Sequence, residues 1–274
     1  MPQMPLKQVA APERFRRLGD TWLADLDAAL AAPGSDWNHV TRETLFQLAW
    51  PGAGSWEERL GDQSLPVASR LGLEVLDPAN ITLEPEYYAD VDPLRFARIK
   101  PLLWLWYSFD RLPIGGQHVG LGVEFRRMLA PRIFARVGER FKCFQHVEFS
   151  FGYNLEVGDD VVVHRHVLLD DRGGITLGNR VSISDYANIY SHTHSIVDQK
   201  DVTNLRTVLE DDVRITYHAT VLAGVTVGHN GMVGAAALAT RNVRPYNVNV
   251  GIPARSVRVK PGAPPEAFRT VREP

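Results

Sequence analysis

A six-residue repeat in the second half of the chain constrains the fold more than any other feature. Steps of six from Phe151, with a two-residue insertion after Leu169 and a longer break after Ile189, meet thirteen apolar residues in succession. Because apolar residues make up 45% of the chain, chance would give such a run only about 3 times in 100,000. The thirteen positions are Phe151, Val157, Val163, Leu169, Leu177, Ile183, Ile189, Leu209, Ile215, Val221, Val227, Val233 and Ala239.

A period of six fits neither one face of an α-helix nor the two-residue alternation of a simple strand. It fits a chain wound into a narrow triangular prism, with about six residues on each side and about eighteen in each coil. Turn-forming residues recur where corners are expected, at 158–160, 178–179, 211–212 and 228–230. A single coil cannot bury its own core, so the coils must stack. We therefore predict a mainly β fold, a parallel β-helix with an α-helical N-terminal extension.

The first half of the chain indicates helices joined by loops. A helix is predicted where apolar residues recur every three or four positions, and Pro33-Gly34 ends it. Further helices are predicted from about Thr41, over 93–109 with a break at Pro101, and over 122–137 with a kink at Pro131. We divide the chain into an extension (1–138), a β-helix (139–259) and a C-terminal tail (260–274). The first helix presents Phe15, Leu18, Trp22, Leu26, Ala29 and Leu30 on one face.

Composition and charge exclude several classes of function. A net charge of −2 provides no basic stripe for nucleic acid. The single cysteine, Cys143, permits no intrachain disulfide and suits a reducing cytoplasm. The most apolar stretch, 101–109, has about half the length that a bilayer requires. We expect a cytoplasmic protein with no signal peptide, no transmembrane segment and no nucleic-acid partner.

Four strings of the second half resemble the hexapeptide-repeat acyltransferases, and among these the galactoside and maltose O-acetyltransferases. They are VGERFKCFQHVEFSFGYNLEVG, LLDDRGGITLGNRVSISDYANIYSHTHSIVD, VTVGHNGMVGAAALATRNV and VGIPARSVRV, and the resemblance covers roughly 137–259. The resemblance implies a left-handed parallel β-helix and a homotrimer with sites in the grooves between neighbouring prisms. It also implies acetyl-CoA as the acyl donor and no metal.

His194, in the string IYSHTHS, matches the segment that holds the catalytic histidine of that family. An alcohol must lose its proton as it attacks a thioester, and an imidazole of pKa about 6.5 can accept that proton and pass it to the leaving thiolate. We interpret His192, two residues earlier, as a neighbour. Residues 195–207 interrupt the repeat directly after His194. By the resemblance, this loop covers the acceptor or the cofactor.

The resemblance also assigns acceptor-binding positions, several of which carry unexpected residues. A family aspartate falls on Arg172, and a tryptophan close to the cofactor falls on Arg214. An acceptor-site asparagine and a small serine near the acetyl group are likewise replaced. These departures argue that the acceptor is not simply galactose or maltose. The candidate acceptor-binding residues are Ser150, His164, Asp171 and Tyr217.

Five further positions match the path of coenzyme A in that family. Small side chains there let the pantetheine arm lie along a coil, and arginines can bind its phosphates through charged hydrogen bonds. The candidate cofactor-binding residues are Ala235, Thr240, Arg241, Arg255 and Arg258.

The sequence therefore predicts an acetyl-CoA-dependent O-acetyltransferase that acts on a sugar, a glycan or a natural-product precursor. An N-acetyltransferase acting on an amine or amino sugar is the first alternative, because the same base could serve an ammonium group. A metal hydratase like the γ-type carbonic anhydrases would need three imidazoles on one ion, and the spacing of 164/166 and 192/194 does not match that family. A non-catalytic trimeric scaffold is the last alternative, suggested by the replaced acceptor positions.

Overall fold

The computed structural model of the protein describes residues 10–268, and its first part is helical. Helices α2 and α5 begin at aspartates, Asp36 and Asp92, whose carboxylates accept hydrogen bonds from main-chain N–H groups of the first turn. Two short 3₁₀ turns, Pro78–Asn80 and Glu84–Tyr87, lie between α4 and α5. The helices are α1 Glu13–Ala31, α2 Trp37–Ala49, α3 Trp56–Leu60, α4 Val67–Glu74, α5 Pro93–Arg111, α6 Val119–Ile133 and, near the C-terminus, α7 Pro265–Phe268.

Three expectations for these helices are wrong. The helix predicted over 122–137 ends at Ile133, because the chain turns there into the first strand, Arg136–Val137. Helix α5 continues through Pro101 instead of breaking there, because its residues on both sides of the proline are packed in the core, with Leu102 and Trp106 fully buried. Leu18, which was placed on the apolar face of α1, is 63% exposed. No helix within residues 10–268 has the length and apolar character that crossing a bilayer requires.

From Arg136 the chain winds through short strands that form three parallel sheets, one for each side of a prism. The first sheet has the order β1-β4-β7-β12-β15, and the second β2-β5-β8-β13-β16-β18 with β19 added antiparallel. The third has the order β3-β6-β9-β14-β17. The strands are β1 Arg136–Val137, β2 Lys142–Cys143, β3 Glu148–Phe149, β4 Leu155–Val157, β5 Val162–Val163, β6 Leu168–Asp170, β7 Ile175–Leu177, β8 Ser182–Ile183, β9 Asn188–Tyr190, β10 His192–His194, β11 Val202–Asn204, β12 Thr207–Leu209, β13 Arg214–Ile215, β14 Thr220–Val221, β15 Thr226–Val227, β16 Met232–Val233, β17 Leu238–Ala239, β18 Asn247–Val250 and β19 Arg255–Val259.

All thirteen repeat positions are at most 2% exposed, so the parallel β-helix and its helical extension are confirmed. The register differs at the start of the series, because Phe149 and not Phe151 pairs with Leu169 in the third sheet. Phe151 lies in a two-residue insertion of its own coil and is still buried.

The coils are not uniformly eighteen residues long. Arg136 pairs with Glu156 and Glu156 with Thr176, so each of the first two coils takes 20 residues. The next coil takes 32 residues, from Thr176 to Val208, and the following one takes 18, from Val208 to Thr226. The additional residues of the longer coils all lie where the third sheet leads into the first.

Two corners keep their register and are built from non-glycine residues with positive φ. One corner, which we call the ladder corner, stacks Arg140, Asp160, Arg180 and Asp212 with φ between 55° and 63°. The other, the ring corner, stacks the rings of His146, His166, Tyr186 and His218 with centroids 4.8 to 4.9 Å apart.

The helical extension packs directly on the first coils and shares one hydrophobic core with them. Trp106 Nε1 donates to the carbonyl of Val147, and the Tyr107 hydroxyl donates to that of Phe149 at 3.1 Å. A buried ion pair between Arg126 and Asp110 joins α6 to α5. The division of the chain at residue 138 stays a prediction, and residues 1–9 and 269–274 of the outer segments lie outside the described part.

Candidate active site

One corner of the prism departs from the six-residue period in three successive coils. We call it the insertion corner and define it by residues 150–154, 170–174 and 190–206. These residues follow β3, β6 and β9 of the third sheet, which stack in register. Polar side chains from three successive coils, Ser150, Asp170 and His192, meet at this corner.

The third insertion forms a hairpin of β10 and β11 and not an irregular loop. His192 pairs with Asn204 and His194 with Val202 in antiparallel register. The tip is tightened by main-chain hydrogen bonds to the Ser195 hydroxyl and from Ser195 to Asp201. The hairpin therefore holds both histidines on one short strand that projects from the prism.

His194 is exposed, and its tautomer follows from its one described side-chain hydrogen bond. Nδ1 lies 2.8 Å from the carbonyl oxygen of Gln199. A carbonyl oxygen can only accept, so Nδ1 carries the proton and the lone pair is on Nε2. The hairpin thus presents the nitrogen that a general base requires.

A second imidazole, that of His192, is held by a buried carboxylate. Nδ1 of His192 hydrogen-bonds Asp170, whose side chain is 3% exposed. Asp170 also accepts from the Ser150 hydroxyl at 2.7 Å and from the main-chain N–H of Ser191. The rings of His192 and His194 are perpendicular, with centroids 5.2 Å apart. Ser150, Asp170 and both histidines therefore form one connected group.

Asp171, the neighbouring acceptor-binding candidate, is fully buried. Its carboxylate accepts hydrogen bonds from the main-chain N–H groups of Phe151 and Asn154. Burial raises the pKa of this carboxyl to about 6, against the opposing effect of the main-chain donors. The geometry gives Asp171 a role in shaping the insertion corner, while Asp170 is the carboxylate that contacts the histidine.

Arg172 ties the helical extension to the insertion corner. Its guanidinium forms two hydrogen bonds with the Asp90 carboxylate, at 2.8 and 3.1 Å, and lies 4.3 Å over the ring of Tyr88. Asp90 also accepts from the side chain of Asn204 at the base of the hairpin. Burial opposes the ionisation of Asp90, but the donors Arg172 and Asn204 outweigh it and lower the pKa. The residue that departs from the family pattern thus joins three elements around the site.

Three other candidates lie at the ring corner, on a different edge of the same prism. His164 stacks on Phe144 at 5.0 Å. Tyr217 is 49% exposed and meets Tyr186 edge to face. Ala235 follows one coil later in the same column, since Ile215 pairs with Val233. Among the contacts of residues 10–268, none joins these side chains to His192 or His194.

The remaining cofactor candidates are all exposed in the last coils. Thr240 and Arg241 directly follow β17, whose register places Thr240 in the same column as Ser150, four coils further along. Because neighbouring coils stack about 4.8 Å apart, Thr240 lies well away from Ser150 along the axis of the prism. Arg255 and Arg258 lie on β19, which pairs with β18.

Sequence reasoning missed Asp170 and treated His192 as a bystander. The two residues are 22 positions apart, and their contact depends on the insertions that bring successive coils into line. Asp90 lies in the helical extension, outside the residues 137–259 that the resemblance covers. One signal in the sequence could have indicated the contact between Asp170 and His192: an aspartate followed one coil later by a second histidine at the break in the repeat.

Metal ligands do not gather at the histidines of the β-helix. In the described part of the chain, the group suited to a metal is His39, Glu43 and Glu57 in the extension. Arg42 already lies among them, 2.6 Å from Glu57 and 3.0 Å from His39.

No protein-family profile matches the chain. Over 140 residues it is 28% identical to the galactoside O-acetyltransferase of Escherichia coli, a match that covers 50% of the chain and 69% of that enzyme. Matches to two relatives from Schizosaccharomyces pombe cover smaller shares of those proteins, 55% and 45%.

Solved structures establish the fold. A maltose O-acetyltransferase from Clostridium difficile superposes with a TM-score of 0.55 at 24% identity, covering 63% of this chain and 91% of that one. A hexapeptide-repeat acetyltransferase from Vibrio cholerae, solved with acetyl-CoA, gives a TM-score of 0.55 at 22% identity and covers 67% and 99%. The resemblance found in the sequence is confirmed: by sequence and by fold, the β-helix of this chain is a homologue of the hexapeptide-repeat acetyltransferases.

Proposed function

We propose that this chain transfers the acetyl group of acetyl-CoA to a hydroxyl of a sugar, glycan or natural-product precursor. The observation that carries the proposal is the tautomer of His194, which leaves Nε2 free on an exposed hairpin. The relatives support the type of reaction, because the Escherichia coli relative is a galactoside O-acetyltransferase. The Vibrio cholerae structure, which contains acetyl-CoA, supports the donor.

The reaction needs one proton to move twice. As the acceptor oxygen attacks the thioester carbonyl, its proton passes to Nε2 of His194. The resulting imidazolium is stabilised by the hydrogen bond that Nδ1–H donates to the Gln199 carbonyl. When the tetrahedral intermediate collapses, the C–S bond breaks and the imidazolium returns the proton to the thiolate. The products are the acetyl ester and free coenzyme A.

The carboxylate of Asp170 is placed to stabilise the imidazolium of this cycle. It is buried and hydrogen-bonded to His192, whose ring lies beside that of His194. A negative charge with little solvent around it stabilises a nearby cation more than an exposed one does. We assign His192 and Asp170 to positioning and charge stabilisation, and the proton transfer itself to His194.

We further propose that the working form is a homotrimer. The candidate residues of one chain are divided between two edges of the prism, with Ser150 and His194 at the insertion corner and His164, Tyr217 and Ala235 at the ring corner. A site that uses both sets needs the insertion corner of one chain to face the ring corner of another. In such a groove Ala235, Thr240, Arg241, Arg255 and Arg258 would hold coenzyme A. A cytoplasmic location is proposed on the single, buried Cys143.

A thiol-release assay with acetyl-CoA over a panel of sugars and amines tests the proposal. Wild-type protein should release coenzyme A with at least one sugar and yield an acetylated product by mass spectrometry, whereas His194→Ala should not. Unchanged turnover in His194→Ala would remove His194 as the base. Acetylation of amines alone would move the protein to the N-acetyltransferases.

A further inference from the structure

A cavity of about 260 Å³ lies where the helical extension meets the first coils of the β-helix. We call it the junction pocket. The extension contributes the segment that precedes α5 and one face of α5, and the β-helix contributes β3, β6 and Ser150. The lining side chains include Glu84, Tyr88, Leu103, Arg111, Glu148 and Leu168.

Two oppositely charged side chains, both exposed to solvent, lie at the rim of the junction pocket. Glu148 and Arg111 line the same cavity with opposite charges, yet they form no ion pair with each other. Neither side chain has a hydrogen bond or ion pair with any residue in 10–268. Charged groups held apart in this way can each bind a polar ligand that lies between them.

The remaining walls combine hydrogen-bonding groups with apolar side chains, which suits a ligand with hydroxyl groups and a partly apolar surface. The Tyr88 hydroxyl donates to Glu84 at 2.5 Å, and burial with this contact raises the pKa of Tyr88 to about 12, so the phenol stays protonated. Leu103 and Leu168 provide apolar surface on opposite walls. Ligand pockets usually enclose about 300 Å³ or more, so this one suits a single sugar ring.

A chain of contacts joins the junction pocket to the general base. Ser150 lines the pocket and donates to Asp170, Asp170 holds His192, and the ring of His192 lies beside that of His194. The path crosses two coils, or about 10 Å. A disaccharide can span that distance, whereas one pyranose ring cannot.

We propose that the junction pocket binds the sugar ring next to the one that is acetylated, so that the acceptor is a disaccharide or the end of a glycan. This inference deepens the proposed function and rests on it. The extension then provides acceptor selectivity, since it supplies Arg111, Glu84 and Tyr88. Binding of the non-reacting ring lowers the KM of the longer acceptor and leaves the chemistry at His194 unchanged.

A matched pair of variants on one sheet tests the pocket. Leu168→Trp fills the cavity from β6. Thr220→Trp places the same side chain in the same column of the third sheet, two coils further along and outside the pocket, since Leu168 pairs with Asn188 and Asn188 with Thr220. Thiol release from the full chain is followed with methyl β-galactoside against lactose and with methyl α-glucoside against maltose.

We expect the KM of at least one wild-type disaccharide to be about tenfold or more below that of its monosaccharide. Leu168→Trp should raise that KM to the monosaccharide value with kcat and the KM for acetyl-CoA unchanged, and Thr220→Trp should match wild type. Arg111→Met, which alters an exposed rim side chain, should weaken only the disaccharide. Equal effects of the two tryptophan variants, or equal effects on both acceptor lengths, would overturn the proposal.

Failure of the proposed function gives a different result. If wild-type protein releases no thiol with any of these sugars, transfer to galactosides and glucosides is refuted, and saturation-transfer NMR with lactose and maltose still examines the pocket. A signal that Leu168→Trp abolishes and Thr220→Trp retains supports sugar binding there. Absence of a signal from wild type refutes the pocket.

Discussion

Histidines line two corners of the prism, and their surroundings give them different roles. At the ring corner, His146, His166 and His218 stack on neighbouring rings in coils that keep their register. At the insertion corner, His192 and His194 are fixed through Nδ1 by a carboxylate and a carbonyl. Stacking stabilises the fold, whereas a hydrogen bond to one nitrogen sets the tautomer and leaves the other nitrogen reactive. The proposed base therefore lies where the register is broken.

The largest expected effect is a loss of kcat, and it should distinguish the two corners when a histidine in each is replaced by alanine. His194→Ala should lower kcat by about 10²- to 10⁴-fold, the range for losing a general base. His146→Ala removes a histidine from the first coil of the ring corner, three coils away from Tyr217, and should leave kcat within about twofold. Steady-state thiol release measures both, and circular dichroism checks that each variant is folded. Equal losses in the two variants would refute the distinction between the corners.

The fold was more predictable than the site because the core residues recur with a fixed period, whereas each contact at the site occurs only once. Each inward residue, such as Val163 or Ile183, faces the same environment in every coil, so a local period reports on the whole β-helix. The proposed base could be inferred from the string around His194. The partners Asp170 and Asp90 could not, because their contacts depend on coil lengths and on how the aperiodic extension packs.

The second prediction concerns the buried carboxyl that shapes the insertion corner. In the folded protein the pKa of Asp171 is about 6, against 3.8 for the free carboxyl. The folded state therefore holds this proton more tightly, and the stability that it contributes is complete below about pH 4 and lost as pH rises through 6. The difference of about 2 units corresponds to about 3 kcal/mol.

Asp171→Asn should remove that part of the pH dependence, because an amide does not titrate in this range. The measurement is the free energy of unfolding in urea at intervals from pH 4 to 7. Asp20→Asn, at an exposed position of α1 whose side chain has no hydrogen bond or ion pair within residues 10–268, is the control and should leave the slope with pH as in wild type. A slope that is the same in all three proteins would show that Asp171 does not carry the dependence.

The third prediction tests the carboxylate beside the histidines. Asp170→Asn keeps an oxygen that can accept from Ser150 or His192 but removes the charge that stabilises the imidazolium. We expect kcat to fall about 10- to 100-fold, less than for His194→Ala, with the KM for acetyl-CoA unchanged. His192→Ala should fall in the same range. A loss in His192→Ala as large as that in His194→Ala would contradict the assignment of the proton transfer to His194 alone.

The smallest effect is expected where the register is regular. Tyr186 stacks between His166 and His218 while its backbone has φ of 61°, a conformation that is costly for any residue with a Cβ. Tyr186→Ala loses the stacking and keeps the backbone cost, so it should be destabilised by roughly 1 kcal/mol. Tyr186→Gly loses the same stacking but relieves the backbone, so it should be the more stable variant, although the greater freedom of glycine in the unfolded chain offsets part of the gain. Urea unfolding of the two variants gives the order directly. If the alanine variant were the more stable, the stacked rings would not be compensating for backbone strain at Tyr186. The difference between the two corners would then rest on hydrogen bonding alone.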